Sequence, residues 1–414
     1  MRHALSYLAS LSLGALALAL PGTLHAEAGL PEADAARAAI DAHPRVAAAR
    51  ARLASAQAES RALARGPNEV SVSTSYVRRS IEREGGYDEF DAEITRPVRL
   101  PGKAPLDRAI GRHGISAAEN RAETARHQAA LLLAQHWWDW LGAASAATVD
   151  RQAVQNYEKL LTAVRRRVAL RDAAALEADQ TEAALATARL AAENSAGSEA
   201  LARARLMAQF PSLTLPAQPP EMPVPDAADA ALSRLRDQIL AGNHNIAAAD
   251  ADADRQKALA ERARRDRVAD PSVGIRLFSE RGGEEQGAGV LFSMPLGGGH
   301  RRALADQAAA DAGAMRAEAA ATRFDVQETA EADLAEARFR IQAWQRARQG
   351  LDAQLAALMK LRRGHEAGEI DLTDMLYGER QVHDAFRAEA AARAETLRAV
   401  TRLRIDGHDL WLTD

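Results

Sequence analysis

Most of the chain shows a helical pattern of apolar and charged positions, interrupted by short segments that alternate with a period of two. Apolar residues recur among charges over residues 31–65, which predicts a helix, and Gly66-Pro67 ends it because proline disfavours the α conformation in the residue before it. Residues 70–76 then alternate between the two faces of an extended chain, which predicts a strand. Helix is predicted again from residue 105 to about residue 143 and from residue 144 to residue 210, with an interruption near residues 171–172.

A β-hairpin is predicted over residues 70–98. Its turn is polar and charged, covers residues 78–89, and has Gly85-Gly86 at its centre. The run that follows the turn places Phe90 and Ile94 on one face and acidic residues on the other, which is the alternation of a second strand. The hairpin is therefore a small β element in an otherwise helical half of the chain.

The chain is predicted to contain two repeats joined by a proline-rich linker. The first repeat covers residues 29–210, the linker residues 211–226, and the second repeat residues 227–414. Residues 43–49 resemble residues 243–249, about two hundred positions later. Such self-similarity indicates a duplication.

The second repeat follows the plan of the first. Helix is predicted over residues 227–268, and a hairpin follows at about 272–295 with its turn centred on Gly282-Gly283. Helix then runs to near the C-terminus, with a break around residues 364–373. Each repeat is therefore predicted to consist of helix, hairpin and helix, and the fold is mostly α with a small β part.

The predicted strands are suited to a membrane barrel assembled from several copies of the chain. A lone hairpin is marginally stable in water and has unpaired edges. Strands of about 9–11 residues can cross a bilayer when their faces alternate apolar outward and polar inward. Four strands cannot enclose a wide barrel, because interior width grows with strand number. The alternative is a pair of hairpin arms on a soluble coiled coil.

The alternation also predicts which residues face the wet lumen of such a barrel. They are Ser71, Ser73, Asp91, Glu93 and Arg276. Phe278 falls on the same face as Arg276, so the third strand fits the alternation less well. Prolines bracket both hairpins, where they predict the joints between barrel and helices. The joint prolines are Pro67, Pro97, Pro271 and Pro295.

The N-terminus predicts a signal peptide over residues 1–28. Arg2 and His3 are followed by an apolar run over residues 5–20 and by a small-x-small pattern at residues 26–28. No later stretch reaches the roughly 18 apolar residues of a membrane-spanning helix. The chain has no cysteine, so no disulfide, thiolate metal site or lipid-anchored N-terminus is expected.

Composition and motifs predict long helices and no catalytic or cofactor site. Aromatic residues make up 4% of the chain and its formal charge is −4, which favours packed helices and gives no sign of nucleic-acid binding. The histidines form no His-Glu-x-x-His motif. Three histidines are each followed directly by an acid and are interpreted as solvated helix surface rather than metal ligands. They are His365, His383 and His408. The tryptophans of residues 137–140 are interpreted as packing between helices or at a subunit seam rather than as a membrane belt.

Three segments resemble the outer-membrane efflux proteins of the TolC-like family. Residues 92–103 resemble the strand-to-helix exit of its heavy-metal, CzcC-like branch, where a run of proline, a hydrophobic residue, any residue and Leu-Pro-Gly-Lys is common. Residues 292–296 resemble the matching exit of the last strand, and residues 367–376 resemble the helix-hairpin tip. The resemblance covers nearly the whole chain after the predicted signal peptide.

This resemblance implies a homotrimer in the bacterial outer membrane. Each copy would give four strands to one twelve-stranded β-barrel and its helices to a long periplasmic α-helical barrel. The implied partners are a periplasmic adaptor (membrane fusion) protein, an inner-membrane efflux pump of the RND type, and outer-membrane lipid. The implied function is passive conduction of heavy-metal cations. The same duct serving organic drugs, and a secreted coiled-coil scaffold without a pore, are the alternatives.

The resemblance also implies which residues form the periplasmic end. The adaptor-docking tip comprises Gly364, Gly368, Glu369, Ile370 and Asp371. Asp371 and Asp374 are candidates for a periplasmic constriction, with helix N-capping as the alternative role of Asp371. In the first repeat Arg171 stands where the second has Gly368. Because arginine adopts a positive φ less readily than glycine, the two tips are expected to turn differently.

Overall fold

The computed structural model describes residues 28–412 and consists of long antiparallel helices and one small sheet. The predicted signal peptide lies outside this range apart from its last residue. The helices are α1 (Ala33–Asp41), α2 (Pro44–Arg65), α3 (Lys103–Ala169), α4 (Ala175–Gln209), α5 (Asp229–Ala241), α6 (His244–Arg265), α7 (Gly299–Glu366) and α8 (Leu372–Asp406). The strands are β1 (Ser71–Ile81), β2 (Gly85–Pro97), β3 (Ser272–Glu280) and β4 (Glu285–Ser293).

The order of elements occurs twice along the chain. Two short helices, a hairpin and two long helices in the first half are followed by the same order in the second half. The matching segments at 43–49 and 243–249 both begin a helix with a side-chain cap. His43 Nδ1 accepts a hydrogen bond from the amide two residues on at 3.3 Å, and Asn243 Oδ1 does so at 2.9 Å. The helices predicted over 31–65 and 227–268 are therefore each divided in two by these caps.

The two longest helices run without a break from the sheet to the opposite end of the molecule. α3 has 67 residues and α7 has 68, so each is about 100 Å long at 1.5 Å per residue. The sequence predicts a boundary near residues 143–144, and this prediction is wrong. Leu141, Ala144 and Ala147 are all buried on one side of α3, so packing continues across the supposed boundary. α2 and α4 pack along α3, and α6 and α8 pack along α7.

The four strands form one antiparallel sheet in chain order, β1-β2-β3-β4. The turn predicted over residues 78–89 is too long, because only residues 82–84 lie between β1 and β2. Arg83 takes a positive φ of 82°, which lets a short turn reverse the chain, and Gly85-Gly86 therefore belong to β2. The second turn lies at Gly282-Gly283, as predicted, with φ values of 64° and 101°.

The main hydrophobic core lies midway along the helices, where α1, α3, α4, the linker and the C-terminal residues meet. Trp137, Trp138 and Trp140 are at most 2% exposed there, so the interpretation of these residues as interhelical packing is confirmed. Trp138 Nε1 donates a hydrogen bond to Thr401 Oγ1 at 2.9 Å. The linker contributes to the same core and thereby ties the two repeats together.

The chain exposes far more surface than a compact protein of its size. Its accessible surface is 25831 Å², whereas a compact monomer of this mass exposes about 16,000 Å². Among residues 28–412, no helix combines the length and the apolar character needed to cross a membrane. Long helix pairs and a sheet that is covered on neither face contribute to this surface.

Candidate functional site

The sheet has one polar face. The strand register pairs Ser73 with Glu93 and Glu93 with Arg276. Alternate residues of a strand share a face, so Ser71 and Asp91 lie on this face too. The five residues predicted to face a lumen are therefore brought together on one side of the sheet.

The opposite face of the sheet is apolar and exposed. Its large apolar side chains are Val72, Tyr76, Phe90, Ile94, Val273, Ile275, Leu277, Val290 and Phe292. Their exposed fractions range from 43% at Val273 to 87% at Val290. A continuous apolar surface of this kind is typical of a site that contacts lipid or another protein.

The polar face is acidic and contains one tight charge cluster. Arg276 Nε contacts Asp91 Oδ2 and lies 3.8 Å from Glu93 Oε1. The guanidinium carbon of Arg276 lies 5.6 Å from the ring centroid of Phe278, which is on this face as predicted. The phenyl ring covers Gly287, where a Cβ would come within 2.3 Å of it. The charged residues of the face are Arg79, Glu89, Asp91, Glu93, Arg276, Glu280 and Glu285.

Both edges of the sheet are open within the described chain. β1 pairs only with β2, and β4 pairs only with β3. An open edge presents unpaired backbone donors and acceptors, which favour the addition of another strand. The sheet is therefore suited to joining the sheets of further copies side by side.

The joint prolines lie next to the ends of the strands, and the carbonyls of Pro97 and Pro271 accept hydrogen bonds from residues of the junction. Asn68 Nδ2 donates to the Pro97 carbonyl at 2.9 Å, and the amide of Val98 donates to the Pro271 carbonyl at 2.7 Å. Pro67 and Pro295 lie just outside β1 and β4. The ends of β2 and β3 are thus connected directly at the junction between sheet and helices.

A buried lysine holds this junction together. Lys103, the last residue of the Leu-Pro-Gly-Lys run, is 2% exposed, and its Nζ lies 2.8 Å from both Asp266 Oδ1 and Asp270 Oδ1. The same Nζ donates to the Val268 carbonyl at 2.9 Å. Asp270 Oδ1 also accepts the amide of Leu100 at 2.9 Å. The lysine therefore ties the start of α3, from the first repeat, to the segment before β3, from the second.

A second layer of charges surrounds Lys103. Asp107 accepts from Arg99 at 3.1 Å and from Arg262 at 2.7 Å, and Arg262 also contacts Asp266. Burial opposes ionisation of Asp266, but hydrogen bonds from Arg262 and Lys103 hold its pKa below the usual value. Asp266 and Asp270 lie far from Lys103 in the sequence, so no motif or spacing predicts this cluster.

The two helix-hairpin tips have the same backbone conformation. The first tip is residues 165–177, and the second tip is residues 362–374. Arg171 has a φ of 62° and Gly368 a φ of 77°. The amide of each bonds the carbonyl three residues back at 3.0 Å, and the next amide bonds the carbonyl five residues back at 2.9 Å. This is the Schellman pattern of helix ends. The expectation that Arg171 makes the first tip turn differently is therefore wrong, because these hydrogen bonds offset its strain.

The second tip holds its shape through Asp371 and His365. Asp371 Oδ1 accepts the amide of Asp374 at 2.9 Å and caps α8, which confirms the capping role. His365 Nδ1 lies 2.9 Å from the Ile370 carbonyl, and its Nε2 lies 3.2 Å from Arg167 Nη1 of the first tip. A cleft of about 850 Å³ opens between the two tips on the side lined by Arg167 and His365.

Histidines elsewhere in the chain make contacts between helices. His383 Nε2 lies 2.7 Å from Asp150 Oδ1, whose side chain is fully buried. The ring of His408 stacks on that of His244 at 5.1 Å. The interpretation of the His-acid pairs as solvated surface is therefore wrong for His365, His383 and His408, because each is half-buried and contacts another part of the chain. Within the part of the chain that the structure describes, no three His, Cys, Asp or Glu residues are placed to hold a metal ion.

Asp333 is a buried acid that lies between α7 and α8. The side chain of Asp333 is 7% exposed, and its Oδ1 lies 3.1 Å from Arg402 Nε. Burial, with Asp406 nearby, raises the pKa of Asp333 to about 7 despite the arginine. Asp406 in turn lies 2.6 Å from His127 Nε2 on α3. This cluster connects three helices below the junction.

Comparison of this chain with known sequences and comparison with solved structures give different results. No protein-family model matches the chain, and no curated protein does. The fold, in contrast, matches solved outer-membrane channels over most of its length. The channel OprN superposes with a TM-score of 0.77 at 18% identity, over 92% of this chain and 90% of that one.

Two further structures give the same result. VceC, an outer-membrane protein of Vibrio cholerae, has a TM-score of 0.72 at 16% identity, covering 90% of this chain and 95% of that one. CusC, described as forming a transmembrane channel, has a TM-score of 0.70 at 14% identity, covering 93% and 95%. This chain therefore has the fold of the outer-membrane channels.

Proposed function

We propose that this chain is the outer-membrane channel of a tripartite efflux system. Three copies join their sheets into a twelve-stranded barrel, and their long helices form a periplasmic tunnel below it. An inner-membrane pump delivers the substrate through a periplasmic adaptor, and the channel conducts it passively to the exterior. The observation that carries this proposal is the two-faced sheet with two open edges, in a chain with the fold of outer-membrane channels.

The apolar face of the sheet supports a position in lipid. The four strands have 9 to 13 residues, and strands of about 9–11 residues span a bilayer when tilted. Nine large apolar side chains on one face favour lipid over water, because burying apolar surface stabilises. A secreted scaffold with hairpin arms would leave the same face exposed to water, which makes that alternative the weaker one.

The polar face supports conduction of cations. Acidic residues outnumber arginines on it by five to two, and a lumen lined by one sign of charge concentrates ions of the other sign. Heavy-metal cations are the substrate that the CzcC-like resemblance implies. Because Lys103 is buried and holds the joint together, the Leu-Pro-Gly-Lys run has a structural role there. The proposal of metal cations as the substrate therefore rests on the CzcC-like resemblance and on the acidic face of the sheet. Organic drugs are the alternative substrate.

The tips support contact with a periplasmic partner. Gly364, Gly368, Glu369 and Ile370 surround the second turn, and they remain the predicted docking residues. Because Asp371 is engaged in capping α8, the exposed Asp374 is the better candidate for lining a periplasmic constriction. The tips lie at the far end of the longest helices, where a channel of this fold would meet the rest of a pump.

The proposal is tested in cells and in purified form. We expect the protein in the outer-membrane fraction as a cross-linkable trimer, and a planar bilayer containing it should conduct with a preference for cations. Deleting the gene should sensitise cells to zinc, cobalt, cadmium or copper. A protein found soluble in the periplasm contradicts the channel role. Unchanged metal tolerance with new sensitivity to hydrophobic drugs contradicts the metal substrate alone.

A further inference from the structure

A small pocket opens between α3 and α8, in the part of the molecule between the main core and the tips. Its volume is about 260 Å³, slightly below the roughly 300–1,000 Å³ of most ligand pockets. The residues of α8 that line it, from Glu379 to Phe386, lie about 10–20 Å from the first residue of that helix. α3 belongs to the first repeat and α8 to the second, so a molecule in this pocket contacts both repeats.

The walls of the pocket are largely apolar and include two aromatic rings. Val149 and Tyr157 line it from α3, and Val382 and Phe386 line it from α8. Tyr157 is 8% exposed, whereas Phe386 is 38% exposed. Covering an exposed phenyl ring with apolar atoms is favourable, because it removes apolar surface from water. The walls therefore favour a ligand with an aromatic or aliphatic body.

Glu379 is the one acidic side chain that lines the pocket. Its Oε1 accepts two hydrogen bonds from Arg362, at 2.8 Å from Nε and at 2.6 Å from Nη2. Its Oε2 has no hydrogen-bond partner among residues 28–412. The carboxylate is 12% exposed, so water screens it less than a surface charge. A positive group of a ligand can therefore bind the second oxygen.

The charges around the pocket also favour a cation. Burial, with Glu379 and Asp384 nearby, raises the pKa of Tyr157 despite an arginine on α8. The carboxylates that disfavour a tyrosinate anion at this place favour a positive charge there. The other titratable group of the lining is His383, and its Nε2 lies 2.7 Å from the buried Asp150. Asp150 compensates the charge of His383 when the imidazole is protonated, so the histidine does not cancel the preference for a cation.

We propose that this pocket binds a small organic cation, with its positive group on Glu379 and its apolar body against Tyr157 and Phe386. Cations are also attracted by the faces of aromatic rings. The volume accommodates one compact molecule, and the free carboxylate oxygen selects a positive one. Because such a ligand contacts α3 and α8 together, its binding stabilises the packing of the two repeats. The inference concerns a site in the wall of the helices and goes beyond conduction.

The test is titration calorimetry on the purified full-length protein in detergent. One ligand is phenethylamine, which is cationic at neutral pH, and the other is phenethyl alcohol, which has the same ring and chain without the charge. A titration into detergent alone corrects for partition into micelles. We expect saturable binding of the amine, tighter than that of the alcohol by about tenfold or more, because the hydrogen bond to the carboxylate involves two charged groups. The amine should also raise the midpoint of thermal unfolding.

Four variants identify the groups that bind. Glu379→Gln should lower the affinity for the amine about tenfold and leave that for the alcohol unchanged. Arg362→Gln breaks the same ion pair but keeps the carboxylate, so it should strengthen binding of the amine. Phe386→Ala should weaken binding of both ligands. Phe339→Ala is the matched control, because it removes a ring that is 62% exposed on α7, and it should change neither affinity.

Circular dichroism and thermal unfolding establish that each variant is folded. The inference is overturned if wild-type protein shows no saturable binding or binds both ligands with equal affinity. It is also overturned if Arg362→Gln or Phe339→Ala abolishes binding of the amine. p-Benzoylphenylalanine at position 386 tests for another occupant in cells, and an adduct with a second copy of the chain or with another protein overturns the inference too. Conductance needs no ligand in this pocket, so failure here is distinguishable from failure of the proposed function.

Discussion

Replacing Lys103 with methionine removes the ammonium group from the junction while keeping a side chain of similar length. Asp266 and Asp270 then lose a partner at 2.8 Å, and the Val268 carbonyl loses a donor at 2.9 Å. Removing one partner of a buried ion pair costs about 3–5 kcal/mol. We expect about 3 kcal/mol, the lower end of that range, because Asp266 keeps Arg262 and Asp270 keeps the amide of Leu100.

Hydrogen–deuterium exchange measures this loss where it occurs. A cost of about 3 kcal/mol corresponds to roughly 150-fold more frequent local opening, so amides in residues 99–107 and 262–270 should exchange faster by about that factor. Peptides from the tips, far along α3 and α7, should be unaffected. Lys257→Met is the matched control, because Lys257 is exposed on α6 and such changes stay within about 0.5 kcal/mol.

A change of less than threefold in exchange at the junction would contradict a stabilising role for the Lys103 ion pairs. The same effect from Lys257→Met would contradict it too. A second variant separates the lost ion pair from other consequences of the substitution. Adding Asp270→Asn to Lys103→Met removes one of the two carboxylates left without the lysine. The double variant should therefore exchange more slowly than the single one, since part of the cost of Lys103→Met is an uncompensated charge.

Three further changes test other parts of the structure. The pKa of Asp333 is about 7 in the folded protein, above its ordinary 3.8, so the stability that its protonated form contributes is complete below pH 3.8 and is lost as the pH rises to 7. Asp333→Asn should therefore stabilise the protein at pH 8 relative to wild type, by about 4 kcal/mol at most. The difference between the two proteins in guanidinium unfolding midpoint should vanish at acid pH. Arg171→Gly should raise the free energy of unfolding by about 0.5–1 kcal/mol through relief of its positive φ, while Gly368→Ala should lower it, both measured by thermal unfolding. Thr401→Val leaves the buried indole N–H of Trp138 without its acceptor and should cost about 1–3 kcal/mol, whereas Thr401→Ser should keep most of the stability in the same denaturation assay.

The sequence predicts the order of elements well where local chemistry determines it. Prolines near residues 67, 97, 271 and 295 mark the hairpins because they cannot continue a helix or donate to a sheet ladder. The predicted break inside α3 is wrong because side chains from α1, α4 and the linker cover the helix there, and no local sequence signal indicates these contacts.

Among the candidate sites, too, local sequence patterns predict some residues, whereas others depend on tertiary contacts. Which residues share the polar face of the sheet follows from alternation alone, because the period of a strand is two. The junction could not be predicted in this way. Lys103 belongs to a short motif, and the acids that contact it come from the segment before β3, which only the tertiary fold brings beside it. The Arg171 tip also depends on hydrogen bonds of the backbone that composition does not reveal.

The joints that follow β2 and β4 are held by different contacts. Counting from Pro97 and Pro295, the counterpart of Lys103 is Arg301, which donates to the carbonyls of Pro295 at 3.3 Å and Gly297 at 2.8 Å and has no acidic partner among the described residues. The second joint also contains three consecutive glycines, and Gly297 takes a φ of 89°. The first joint is fixed by buried charges contributed by both repeats, whereas the second is held by exposed carbonyl contacts. The orientation of the sheet on the helices is therefore set chiefly at the first joint, and loss of Lys103 cannot be offset by its counterpart.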